Sequence, residues 1–158
     1  MPFIVCIMKK GLFIALSLIM LLSAAFVCAK ETGEGSGQSV GDILMDSHKE
    51  AVRLAREGKL SQALSMIENV ARELPTFSEV QADYIAILAW NEQWEDAIRV
   101  YETKQENMPF PDYVILSVAT AYRKTGKPNY AIPLYKGYVE RNPADEEAAK
   151  GFIFALLE

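Results

Sequence analysis

Apolar and polar positions beyond residue 40 follow a helical rhythm. Ile43, Leu44, Val52 and Leu54 open it, and such spacing gathers apolar side chains on one face of a helix with about 3.6 residues per turn. Ser39, followed three positions later by Asp42, reads as a capping-box start for this first helix. The pattern and the breakers between its runs predict helices at 42–57, 61–73, 78–91, 94–105, 111–125, 128–140 and 145–157. No alternating strand pattern competes, so the expected class is all-α, built from antiparallel helix pairs.

The N-terminal stretch obeys another rule. Residues 1–29 carry only two charges, Lys9 and Lys10, ahead of an uncharged, mostly apolar run from Gly11 to Ala29. That layout is a signal peptide's, and the small residues around Val27-Cys28-Ala29 predict cleavage after Ala29 and a mature start at Lys30. Two alternatives stay open. The 19 residues of the run also suffice for an uncleaved inner-membrane anchor. Lipidation at Cys28 is the other, although the preceding Phe26-Val27 fits a lipobox poorly. Met8 directly precedes the basic pair and is a second candidate start. Residues 30–41, rich in Gly, Ser and Glu, read as a flexible linker.

The segment 42–158 repeats itself. Ala63, Ala97 and Ala131 recur every 34 residues, as do Pro75, Pro109 and Pro143, and the bulky Ile67, Tyr101 and Tyr135. Gly58, Glu92 and Gly126 share one phase, and Leu60, Trp94 and Pro128 another. Gly58 and Gly126 suit turns that need positive φ. The alanines let two helices approach, the bulky column fills the space beside them, and each proline follows a helix that it helps to stop. Where Glu92 replaces the turn glycine, Asn91 is expected to take the left-handed position. Pro128 suits a first helical turn, but Pro133 falls inside the helix and is expected to kink it or loosen its start.

This period and column set resemble the tetratricopeptide repeat family. The resemblance implies a right-handed α-solenoid of three hairpins, at about 44–77, 78–111 and 112–145, with 146–158 starting a fourth unit. Within that family, the runs Ala82 to Ile98 and Pro111 to Arg123 are similar to the periplasmic repeats of outer-membrane exporters of poly-N-acetylglucosamine. Those repeats precede a membrane β-barrel, and no barrel pattern follows here, so export itself is not implied. A periplasmic, envelope-polysaccharide setting is.

Composition narrows the chemistry. Both cysteines, Cys6 and Cys28, lie in the leader, which leaves the remainder without thiol chemistry or disulfides. Of 16 basic residues two are Lys9 and Lys10, so 14 remain against 21 acidic ones, a formal charge of −7 that argues against nucleic acid as a ligand. The single histidine, His48, reads as a partly exposed helical residue, with no metal set and no cofactor loop around it. Asp145-Glu146-Glu147 opens the last helix, where the dipole favours acids. An enzyme is not expected.

In the family the first helices of successive hairpins line a concave groove. Carried onto this chain, that face takes His48, Val52, Ala55 and Arg56, then Ala82, Ala86, Ala89 and Trp90, then Tyr113, Leu116, Thr120, Arg123 and Lys124. The candidate contacts are His48, Arg56, Trp90, Tyr113, Thr120, Arg123 and Lys124, an aromatic floor with local positive charge. The carboxylate clamp of chaperone-binding relatives is absent, since His48, Val52, Asp83, Tyr113 and Ser117 stand at its positions. Tyr84, Trp94, Tyr101, Tyr122, Tyr135 and Tyr138 are expected in the core. The last helix is expected to leave Phe152, Ile153, Leu156 and Leu157 as an apolar edge, through self-association, a docking partner or shortening from a longer parent. The expected function is a non-catalytic periplasmic scaffold holding another envelope or secretion protein or an extended peptide. The alternative is direct binding of an amino-sugar polymer.

Overall fold

The computed structural model describes residues 38–158. The expected signal peptide, its expected cleavage point and most of the expected linker lie outside the described residues. Ser39–Glu158 form one unit. It holds seven helices and, among the described residues, no strand: α1 (Val40–Arg56), α2 (Leu60–Glu73), α3 (Ser78–Trp90), α4 (Trp94–Lys104), α5 (Asp112–Lys124), α6 (Pro128–Arg141) and α7 (Glu146–Leu157). None of these helices is long and apolar enough to cross a membrane.

Local chemistry accounts for their ends. The Ser39 hydroxyl accepts from the Asp42 amide at 3.1 Å, and the Asp42 carboxylate accepts from the Ser39 amide at 3.1 Å, a complete capping box. At α7 the Asp145 carboxylate accepts from the Ala148 amide at 3.0 Å, which with the Tyr138 hydroxyl holds its pKa below the ordinary carboxyl range. Three hairpin turns close in one way, through amide-to-carbonyl bonds from Lys59 to Leu54, Gln93 to Leu88 and Lys127 to Tyr122, each 2.9 Å. These bonds span the left-handed residues Gly58 (φ 78°), Glu92 (φ 60°) and Gly126 (φ 69°). Glu92 itself, rather than Asn91 at φ −87°, therefore carries the strain, because the closing bond fixes which position must be left-handed.

Each helix packs on the next in sequence, and the odd-numbered helices also meet one another, α3 against α5 most extensively. The even-numbered helices do not touch among themselves. Ala63, Ala97 and Ala131 are wholly buried, and Ile67, Tyr101 and Tyr135 lie beside them in the core. Tyr122 is buried as well, while Tyr84, Trp94 and Tyr138 are half-buried.

α6 runs from Pro128 to Arg141 with Pro133 inside it. One expectation needs correction. In α7, Phe152 packs against the core and Phe154 faces outward instead, beside Ile153, Leu156 and Leu157. Ala148, Phe152 and Ala155 all turn inward, which fixes the phase of the helix.

Candidate functional groove

α1 and α3 meet only lightly, and the space between them is a groove of about 770 Å³. Met45, His48, Val52 and Arg56 face it from α1, Glu79, Asp83, Ile87 and Trp90 from α3, and Tyr113 from α5. His48, Arg56, Trp90 and Tyr113 thus share one surface.

Their roles within it differ. His48 is buried, 4% exposed, not the partly exposed residue expected from its polar neighbours. Its Nε2 lies 2.8 Å from Asp83 Oδ2, and the Tyr113 hydroxyl donates to Asp83 Oδ1 at 2.8 Å. One carboxylate therefore ties three odd-numbered helices together. Burial, then the Asp83 hydrogen bond, pushes the Tyr113 phenol far above its ordinary range. These three side chains occupy the places noted above for the missing carboxylate clamp, and they satisfy one another.

The positive charge is less free than the sequence implies. Lys49 pairs with Asp46 at 3.2 Å, and Arg53 is held between Glu50 and Glu57; the Arg53 hydrogen bond lowers the pKa of Glu50, and the Lys59 hydrogen bond, with Arg53 behind it, lowers that of Glu57. Arg56, exposed on the same wall, has no ion-pair or hydrogen-bond partner among the described residues. It is the guanidinium left to meet a ligand. Trp90, 47% exposed, offers a flat apolar face in the same groove.

Other candidates lie elsewhere. Ala82, Ala86 and Ala89 are 1% exposed and buried under the groove rather than lining it, so they open no space there. Thr120 sits in a neighbouring cavity and shares a 2.9 Å hydrogen bond with Tyr135. Arg123 turns toward α7, with its guanidinium 5.7 Å from the centre of the Phe154 ring and 3.4 Å from Glu158. Lys124 is exposed outside the groove. Asp83 and Glu79 were not among the candidates. A residue set by its 35-position offset from His48, near the repeat length, was the available signal for Asp83.

No known protein family matches the chain, and no curated protein matches it.

Proposed function

We propose that residues 39–158 are a right-handed α-solenoid of the tetratricopeptide repeat type, three hairpins and a further helix, working as a non-catalytic scaffold. It holds an extended segment of another protein in the groove between α1 and α3. The supporting observation is the combination of an uncommitted Arg56 and an exposed Trp90 on a groove where His48, Asp83 and Tyr113 are tied to each other and Lys49, Arg53 and Glu57 are held in ion pairs. A surface of this kind meets an anionic group and an apolar side chain and supplies no free acid–base pair for catalysis. The 34-residue columns support the repeat assignment. The basic pair and apolar run of residues 1–29 support a periplasmic setting, and the similarity to exporter repeats supports an envelope or exopolysaccharide-secretion assembly.

The test is capture from an envelope extract with wild type, Arg56→Glu and Trp90→Ala as baits. A protein retained by the wild type and lost from both variants is expected. Identical capture by all three refutes the groove as the contact.

The exposed Trp90 and Tyr113 rings favour one second reading, an amino-sugar polymer stacked along the groove. Wild type failing to bind partially deacetylated poly-N-acetylglucosamine at millimolar concentration excludes it.

A further inference from the structure

Behind Trp90 lies a second cavity, of about 240 Å³, which the groove does not use. Trp90 and Trp94 line it from either side of the α3–α4 turn, Glu92 lies between them in the turn, and Leu116, Ser117 and Thr120 of α5 close it.

What this cavity offers a ligand follows from which groups are already engaged. The Ser117 hydroxyl donates to the Tyr113 carbonyl at 2.8 Å, and the Thr120 hydroxyl donates to the Leu116 carbonyl at 2.9 Å. The Glu92 carboxylate and both indoles have no partner among the described residues, and the two indoles make no ring contact with each other. The exposed Trp90 ring, the accessible part of the half-buried Trp94 ring and one free carboxylate complement an organic cation: ring faces attract positive charge and the carboxylate neutralises it. The same set repels an anion. It also has few hydroxyl partners left for an uncharged sugar.

The backbone supplies an independent observation. Glu92 stands left-handed at φ 60° where the two equivalent turns have glycine. Glycine would relieve that strain, so a glutamate here is held against a local conformational preference. The carboxylate at the mouth of an aromatic cavity is what the strained position adds.

We propose that the Trp90–Glu92–Trp94 cavity is a binding site for a basic side chain, lysine or arginine, of a peptide segment. The cation rests against the indole faces with Glu92 as its counter-ion. The small volume suits a single side chain, and the internally bonded hydroxyls favour a peptide over a polyol chain. The site shares Trp90 with the groove and stands independently of what the groove holds.

The chain has only two tryptophans, both of which line this cavity, and Trp94 lies outside the groove, so indole fluorescence follows the cavity and the Trp90→Phe variant reads it through Trp94 alone. The experiment titrates the full chain with capped tetralysine, with tetraglutamate and a glucosamine tetramer in parallel. Tetralysine is expected to give a saturable change that weakens with salt. Glu92→Gln is expected to weaken binding roughly tenfold, the loss of one charge pair. Glu92→Gly is expected to lose binding likewise while raising Tm, which separates the site from a folding defect. Glu95→Gln, outside the cavity, is expected to bind as wild type. An unsaturable response, unchanged affinity in both Glu92 variants, or tighter binding of the glucosamine tetramer overturns the proposal.

Discussion

His48 and Asp83 lie 35 positions apart in sequence and 2.8 Å apart in space, a buried imidazole resting on a carboxylate that also accepts from Tyr113. Because α1 and α3 otherwise meet lightly, this contact sets their separation and with it the width of the groove. Asp83→Ala leaves the buried imidazole without its acceptor, and an unpaired buried polar group costs about 1–3 kcal/mol, whereas the more exposed Tyr113 phenol can turn to water. We expect a lowered Tm, and a non-additive double-mutant cycle between Asp83→Ala and His48→Ala, as groups in one network give. Additive losses would mean that the two side chains act separately.

Gly151 of α7 faces the Tyr135 ring so closely that an added Cβ would sit 2.9 Å from three of its atoms. Two effects oppose each other in Gly151→Ala. Helix propensity favours alanine by about 1 kcal/mol, whereas overpacking costs about 1–3 kcal/mol. Tyr135 is 1% exposed and hydrogen-bonded to Thr120, so it has nowhere to yield. Net destabilisation in a denaturant melt is the expected result; a stabilised variant would show that the ring can move.

Pro133→Ala should act in the other direction. The proline is exposed, lies inside α6 and has no amide to give the carbonyl four residues earlier. The unbroken helix carries this deficit, and its repair is expected to stabilise by about 1–3 kcal/mol, read as a rise in Tm without change in helical content.

Alkaline pH should weaken the fold. Burial first, then hydrogen bonds to Asp83 and Glu102, pushes the Tyr113 and Tyr122 phenols up. Their folded values stand above the unfolded value of about 10, so the native state holds these protons more tightly. The associated stability is complete below about pH 10 and is lost as pH rises beyond it. Melts across that range, with phenolate absorbance followed in parallel, should show a decline made shallower by Tyr113→Phe and Tyr122→Phe. Equal slopes in all three proteins would remove these tyrosines as the cause.

The repeat columns place every helix end within two residues of its observed position, because turn residues and prolines sit at a fixed spacing that only one set of helices satisfies. The groove face of α3 was harder to read. That helix buries Val80, Gln81, Ala82, Ile85, Ala86, Ile87, Leu88 and Ala89, nearly all round its circumference. A helix apolar on every side has no amphipathic phase, so nothing in the pattern separated Asp83 and Trp90, which face the groove, from Ala82 and Ala86 beneath it. Gln81 was illegible for a related reason. It is buried because its side chain donates to the Ala71 and Leu74 carbonyls at 2.8 and 3.1 Å, finishing the end of α2 from a different helix. Such a partner is visible only once the chain is folded. Phe152 and Phe154 exchanged places because α7 is apolar over most of its last two turns.

The separation of the even-numbered helices gives the molecule two unequal sides. Along the odd-numbered row, neighbours share contacts and the Asp83 carboxylate, so stretching that side breaks bonds. Along the even-numbered row no helix packs on its neighbour, and a side-chain bond from Lys104 of α4 to the Pro75 carbonyl just past α2, 2.9 Å long, spans the first gap, so that side opens more easily, like the outer edge of a folded screen. Curvature is therefore the soft coordinate of this fold. A ligand seated between α1 and α3 would set it, transmitting the width of the groove to the far ends of α2, α4 and α6.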